Sequence, residues 1–317
     1  MIFMSNKNVN ILFLGGAKRV SMAEKFISEG LSRGLNVNIF SYELDKNVPI
    51  NIVAEIIVGL KWNNKNIYAD LLKVSLINKI DIIIPFLDLA TLIAARLKDM
   101  IEFKNIFIPV SSEENCKLFF DKHLANQWCI DNKVNVPGSV NNYPLIAKPI
   151  NGSASKGLRI IQNSEELKNL RNKKKYLIQK FIEGNEYSVD IYRSTINSKI
   201  VSIVPRIRLE TQGGESIKSI TVKDQSIIDY SRKIIEKTNL VGPITLQFIQ
   251  DRKTKVLYYM EINPRFGGAV LNSIFAGANS PAYLLNEYYK IINDKNENWI
   301  DNFLMIRRFS ENYTICK

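Results

Sequence analysis

The stretch Val256-Leu257-Tyr258-Tyr259-Met260-Glu261-Ile262-Asn263-Pro264-Arg265 reads as a strand that ends on a cluster of polar groups. Side chains on a strand alternate between faces, so Glu261 and Asn263 share one face while Met260 and Ile262 share the other. Pro264 cannot donate to a ladder and ends the strand, leaving Arg265 and Gly267-Gly268 just beyond it. A carboxylate, an amide oxygen and a guanidinium at one strand end can hold Mg²⁺ and neutralise a phosphoryl group in transfer. A strand entering a turn with an exposed polar face reads the same way from these residues alone. The partner strand adds weight. Asp251-Arg252-Lys253-Thr254 lies near the midpoint between Gln247 and Glu261, so the hairpin Ile244 to Asn263 brings Gln247 beside Glu261 on one face. Gln247, Glu261 and Asn263 then supply oxygen donors suited to a hard cation that also takes phosphate oxygens.

Upstream, Leu145-Ile146-Ala147-Lys148-Pro149, Leu158-Arg159-Ile160-Ile161 and Tyr176 to Ile182 read as short strands of a small α+β lobe, with a helix capped at Ser164-Glu165-Glu166. A larger antiparallel set at 186–205, 217–222 and 244–262 follows, with a helix near 224–237. Lys148 closes an apolar strand, where an ammonium needs an anionic partner unless it snorkels from an edge. Gly152-Ser153-Ala154-Ser155-Lys156-Gly157 has backbone amides and hydroxyls able to wrap phosphates, and equally the composition of a hairpin turn. Leu158 stands where a Walker A lysine belongs, and the loop returns to a strand, so a P-loop fold is excluded. Arg206 and Arg208, within Val204 to Glu210, can clamp a carboxylate bidentately or mark a basic edge strand. Gly213-Gly214-Glu215-Ser216 follows as a candidate substrate loop.

The first third alternates apolar strands (10–14, 37–40, 55–58, 81–84, 105–108) with helical patterns at 20–32, 67–79 and 88–100. Continuous Ile, Val, Leu and Phe strands joined by helices predict a parallel, doubly wound α/β sheet covered on both faces. Ligands of such sheets sit at the carboxyl ends of strands, where Arg19 and Asp88 stand as substrate contacts or as plain turn and cap residues. The G-x-G-x-x-G fingerprint is missing, so no nicotinamide cofactor is indicated. Ser111-x-x-Glu114 predicts a capping box opening a helix through Phe120, and Lys122 to Asn132 a second helix. Asn135-Val136-Pro137-Gly138 marks a boundary.

The 317 residues suffice for two domains with separate cores. No apolar run reaches the length of a membrane span, the N-terminus lacks a signal-peptide pattern, and Cys116, Cys129 and Cys316 form neither a metal spacing nor a paired framework. A cytoplasmic location is expected. The net charge of +12 raises nucleic acid as a partner, but its densest run, Lys168 to Lys175, carries no interleaved stacking aromatics, and an anionic substrate uses the same potential.

The ordered set of Lys122, Lys148, the Gly/Ser loop, Gln179-Lys180-Phe181-Ile182-Glu183-Gly184-x-Glu186, Gln247 and Glu261-x-Asn263-Pro264-Arg265 resembles the ATP-grasp superfamily. Within it, the chain is most similar to one ATP-grasp half of the carbamoyl-phosphate synthetase large subunit and to stand-alone carboxylate–amine ligases. The resemblance implies a doubly wound pre-ATP-grasp, Rossmann-like domain over 1–110 and an ATP-grasp domain over 111–317, with a small lobe at about 138–182 and a large lobe at about 183–290. It implies that Lys122 and Lys148 contact ATP phosphates beneath a flap holding Gly152, Ser153, Ser155 and Gly157. Gln179, Lys180, Phe181 and Ile182 would border the adenine, and Glu186 the ribose. Gln247, Glu261 and Asn263 would hold one or two Mg²⁺, with Mn²⁺ as a substitute. Arg265, with Lys148, would act on the transferring phosphoryl group.

The implied reaction joins a small-molecule carboxylate to an amine through an acyl-phosphate. An ATP-binding regulatory module without turnover, and a kinase that stops at phosphorylation, are the competing readings. A homodimer is expected from relatives. The flap holds only two glycines, no second synthetase half or glutaminase segment is present, and His123 is the sole histidine, so carbamoyl phosphate synthesis and a histidine base are not expected.

Overall fold

Runs of Ile, Val, Leu and Phe build four parallel strands, β1 (Lys7–Leu14), β2 (Leu35–Glu43), β3 (Glu55–Val58) and β4 (Ile82–Pro85), in the order β3-β2-β1-β4. The computed structural model describes residues 7–138, 142–150, 157–308, 310, 311 and 313. Helix α1 (Val20–Leu31) joins β1 to β2, α2 (Ile67–Ile77) joins β3 to β4, and α3 (Asp88–Asp99) follows β4. Val9, Ile11 and Phe13 of β1 pack with Met22, Ala23 and Phe26 of α1. Leu12 and Leu14 pack instead with Leu71 and Val74 of α2 and Ala90, Ile93 and Ala94 of α3. Both faces are therefore covered, which is why Ile11–Leu14 of β1 and Ile82–Ile84 of β4, at the centre of the sheet, are apolar at successive positions, whereas the amino ends of β1 and β2 carry Asn8, Asn10, Asn36 and Asn38. The stretch 105–108, expected as a further strand, contributes only an isolated bridge between Ile82 and Phe107. Pro109 follows at once and has no N–H with which to extend the pairing.

Two short helices, α4 (Glu113–Phe120) and α5 (Lys122–Asp131), lead away from the sheet. The cap of α4 is Ser112, which accepts from the Asn115 N–H, and not the expected Ser111. Ser111 exchanges hydrogen bonds with the backbone of Val241 at 2.9 and 3.1 Å and ties this segment to the large lobe. The Asp121 carboxylate caps α5 through the N–H groups of His123 and Leu124 and so places Lys122 at its first position.

Strands β5 (Leu145–Pro149), β6 (Arg159–Ile161) and β7 (Tyr176–Lys180), with α6 (Ser164–Asn169), form a small antiparallel sheet ordered β6-β5-β7 over Leu145, Ala147, Ile161 and Leu170. The large sheet comprises β8 (Gly184–Arg193), β9 (Ile200–Gln212), β10 (Glu215–Thr221), β11 (Gly242–Asp251), β12 (Leu257–Asn263) and β13 (Leu304–Ile306). Its order is β12-β11-β8-β9-β10-β13, all antiparallel. Helix α7 (Gln225–Glu236) buries Ile227, Ile228, Ile234 and Ile235 against it. Helices α8 (Leu271–Phe275) and α9 (Ser280–Tyr288) return to the first sheet, where Phe266, Ile274, Leu284 and Leu285 share one core with Ile11 and Phe13.

Candidate active site

Two cavities meet along the ends of β11 and β12 and share Lys122, Arg208, Gly214, Gln247 and Glu261. The first, about 300 Å³, lies between the small and large sheets. Ile146, Leu158, Ile182, Ile249 and Met260 give it apolar walls, and Lys148, Lys180, Phe181 and Glu186 stand around them. The second, about 190 Å³, opens toward the carboxyl end of the parallel sheet and is lined by Arg19, Asp88, Arg206, Asn263, Arg265 and Gly268. A larger hollow of about 780 Å³ on the small lobe, around Arg159, Arg171, Lys174 and Lys175, contains none of the predicted site residues. Gly152, Ser153 and Ser155 lie outside the described residues, and Gly157 is exposed with a left-handed φ of +76°.

The hairpin pairs Gln247 with Glu261 and Thr245 with Asn263, and a bulge between Gln247 and Phe248 interrupts the register there. Such a bulge re-aims side chains at a strand end. Asn263 donates to Glu261 at 2.9 Å. One carboxylate and two amide oxygens suit Mg²⁺ that already carries phosphate oxygens better than a bare ion. Accordingly, no group of three or more His, Cys, Asp or Glu that could hold a metal occurs among the described residues.

Lys148 on β5 is buried, with its Nζ donating to Gln179 Oε1 at 3.4 Å, while Gln179 Nε2 donates to Asn126 Oδ1 at 2.8 Å. Burial pushes the Lys148 ammonium below its ordinary range; the Glu261 carboxylate opposes that, and Lys122 adds to it. Glu186 also acts on it, so Glu261, Lys122 and Glu186 all lie within electrostatic reach of Lys148. Asn126 was not anticipated. It lies four residues after Lys122 on α5, one helical turn along the same face, and that spacing is the signal that points to it.

Asp88 was expected at the substrate. It begins α3 and accepts from Arg265 Nε at 2.6 Å, while Arg265 also donates to the Phe266 carbonyl at 3.1 Å. Arg206 does not offer the open clamp expected of it. Its Nε and one NH₂ group are closed on Asp190 at 2.7 and 3.2 Å, and the pair is buried. Asp190 also accepts from Ser273 at 2.6 Å and Thr245 at 3.4 Å. The physical reason is register: Ser188 pairs with Arg206, so Asp190 falls on the diagonal of the same face. Arg208 is likewise engaged, by Glu186 at 2.8 Å, Ser216 at 3.1 Å and the Gly214 carbonyl at 2.9 Å. It positions the Glu186 carboxylate expected at the ribose.

Arg19, at the entry to α1, donates to the Gly268 carbonyl at 3.1 Å and lies 5.6 Å from the centre of the Phe86 ring. Burial lowers its guanidinium to about 10, with Glu215 opposing and Arg265 and Arg307 adding to the shift, so it stays a cation at neutral pH. Arg307 pairs with Glu215 at 2.7 Å and also donates to the Gly268 carbonyl. Burial works to raise the Glu215 carboxyl, but Arg307, Arg19 and Lys18 outweigh it and hold it low. Glu215 was marked only through its glycine-flanked loop. Nothing in the sequence near Arg307 announces its place here, because Glu215 lies 92 residues away.

Solved structures with this architecture include N5-carboxyaminoimidazole synthetase from Staphylococcus aureus complexed with ADP, which superimposes with a TM-score of 0.70 at 18% identity, over 93% of this chain and 81% of that one. The biotin carboxylase domain of Hydrogenobacter thermophilus 2-oxoglutarate carboxylase, in complex with MgADP, ADP and bicarbonate, superimposes at 0.71 and 18% identity, over 93% and 73%. A family model described as ATP-grasp in the biosynthetic pathway with Ter operon matches residues 172–306. Over that stretch the chain is similar to the ATP-grasp family. Among sequence relatives, the chain is 25% identical over 225 residues to the D-alanine–D-alanine ligase of Petrotoga mobilis, covering 62% of its own length and 74% of the ligase. It is 29% identical over 137 residues to the carbamoyl phosphate synthase large chain of Lachnoclostridium phytofermentans, covering 39% of its own length but only 13% of that much longer chain. No helix among the described residues is long and apolar enough to cross a membrane.

Proposed function

We propose that this chain is an ATP-grasp protein and, within that family, an ATP-dependent carboxylate–amine ligase. The observation that carries the reading is the meeting of an apolar slot and a charged pocket along one wall, Lys122, Gln247 and Glu261. In this reading the parallel sheet is a pre-ATP-grasp domain over 1–110, and 111–317 is the ATP-grasp part, its small lobe at 138–182 and large lobe at 183–290.

The adenine enters between Ile146, Leu158, Ile182, Ile249 and Met260, bordered by Lys180 and Phe181, and Glu186 meets the ribose. Lys122 and Lys148 meet the phosphates. Bound Mg²⁺, held by Gln247, Glu261 and Asn263, supplies neutralisation of the phosphate charge. Arg265, steadied by Asp88, faces the second cavity and orients an acceptor carboxylate. A carboxylate oxygen bonds to the γ-phosphorus as the bond to ADP breaks, giving ADP and an acyl-phosphate. An amine nitrogen then bonds to the acyl carbon, phosphate leaves, and the nitrogen loses a proton. Alignment and charge complementarity carry most of such a step, and the array of fixed cations matches that demand.

The test is ADP release from Mg-ATP across pooled amino acids and small carboxylates, run with and without hydroxylamine. A pool that stimulates ADP release and yields a hydroxamate supports the ligase. ADP release with a stable phosphorylated product and no hydroxamate would replace it with a kinase. ATP binding with silence in every pool would favour the regulatory module.

A further inference from the structure

We infer that the second cavity binds a distal anionic group, a carboxylate or a phosphate, on Arg19, so that the acceptor carries one anion beyond the carboxylate that reacts. The assignment of the reacting carboxylate rests on the ligase reading; the anion site itself does not.

The argument is one of charge pairing. Arg265 is paired with Asp88, Arg206 with Asp190, Arg208 with Glu186 and Arg307 with Glu215. Among the described residues, Arg19 alone of these five guanidinium groups has no carboxylate within ion-pairing distance; its hydrogen bond goes to the Gly268 carbonyl. A guanidinium carries five N–H donors in a fixed fork, and a desolvated one is stable only when those donors and its charge are answered. The ring of Phe86 backs it, the Gly268 carbonyl holds one arm, and it lines the cavity. Arg307 holds Glu215 and the same Gly268 carbonyl from behind, so the carboxylate nearest Arg19 is already engaged.

A second observation locates the anion on this side of the loop. In an open α/β sheet the glycine-rich turn after the first strand commonly receives a phosphate on its backbone N–H groups. Here that position is filled from within: the buried Glu43 carboxyl accepts from the backbone of Gly16 and Ala17 and from the Ser41 hydroxyl at 2.7 Å. The loop amides are therefore satisfied, and the loop cation that lines the cavity is Arg19, while its neighbour Lys18 is exposed.

The experiment measures thermal unfolding of the full chain with Mg-ADP and then with acetate, malonate or phosphonoacetate, for the wild type, Arg19→Met and Arg19→Lys. Malonate or phosphonoacetate should raise the midpoint clearly above acetate in the wild type, and whichever does so identifies the group. Arg19→Met should weaken that dianion at least about tenfold, the scale of one lost charge-assisted hydrogen bond. Arg19→Lys should retain part of the effect, and the Mg-ADP shift should be equal in all three. Dianions no better than acetate, or equally effective on Arg19→Met, would overturn the inference while an intact Mg-ADP shift leaves the nucleotide site standing. A dianion shift that needs Arg19 in a protein unmoved by Mg-ADP would sustain the anion site and sink the ligase reading. If Arg19→Met does not fold, Arg19→Lys carries the comparison.

Discussion

Lys148 and Glu261 occupy opposite sheets, and the carboxylate offsets part of the cost of burying the ammonium. An ammonium buried on β5 faces a carboxylate on β12, with a second ammonium, Lys122, alongside. Lys148→Met removes a cation that meets the phosphates in the proposed mechanism and relieves its burial at the same time. It should therefore lower the affinity for Mg-ATP about tenfold or more while leaving the unfolding midpoint unchanged or raised; titration calorimetry with an unfolding curve checks both. Glu261→Ala should fold and should lose ADP formation by at least about 100-fold, the scale on which one preorganised charge contributes to phosphoryl transfer. A folded Glu261→Ala protein with wild-type turnover sinks the mechanism. Both residues were legible in the sequence, Lys148 as a cation in an apolar strand and Glu261 by counting outward from a turn. Arg206 was legible as a cation but not as a committed one, since its partner Asp190 lies on the neighbouring strand and only register brings the two together.

At the level of elements, the join of β8, β9 and β11 is held by one buried network, Arg206–Asp190 with Ser273 and Thr245. Asp190→Ala strands a buried guanidinium and should destabilise the protein by about 3–5 kcal/mol, whereas the double change Asp190→Ala, Arg206→Met should recover much of that. Urea unfolding of the three proteins decides it: equal losses in the single and double variants would show that packing, not charge, is what matters there. The turn after β12 is as tightly constrained. A Cβ on Gly267 would lie 2.7 Å from Thr245 Oγ1 and 3.1 Å from its Cγ2. Gly267→Ala should thus displace Thr245 within that network and cost about 1–3 kcal/mol, as overpacking does. The glycines after Arg265 could be read as a turn from the sequence. Their reason, a close approach to a strand twenty-odd residues earlier, could not, because it depends on how β12 leaves the sheet.

Across the whole molecule, the alternation of strand and helix disclosed the parallel sheet and the hairpin disclosed the large one, but neither disclosed how α9 returns to α1. Helix α9 docks on α1, and its Leu284 and Leu285 enter the core of the first sheet. Periodicity reports which face of a helix is apolar and is silent on which sheet receives it. The polar rim of that joint is Glu29 on α1, which accepts from Asn279, at the entry to α9, at 2.5 Å and pairs with Lys25 and Arg33, both at 2.6 Å. Burial works to raise its carboxyl, but the bonds from Lys25, Arg33 and Asn279 outweigh it and lower it from 4.5 to about 2. The sign of the linkage follows. Above 4.5 the carboxylate is ionised in both folded and unfolded chains and its full contribution is present; as the pH falls from 4.5 toward 2, the unfolded chain takes up the proton first and the contribution is lost. Glu29→Gln should therefore cost about 1 kcal/mol near neutral pH, the scale of a partly solvated ion pair, and progressively less below about pH 4.5. Urea unfolding of both proteins between about pH 7 and about pH 3.5 measures the gap. A gap that does not narrow on acidification would show that the joint between α1 and α9 is held by its leucines and not by the charge of Glu29.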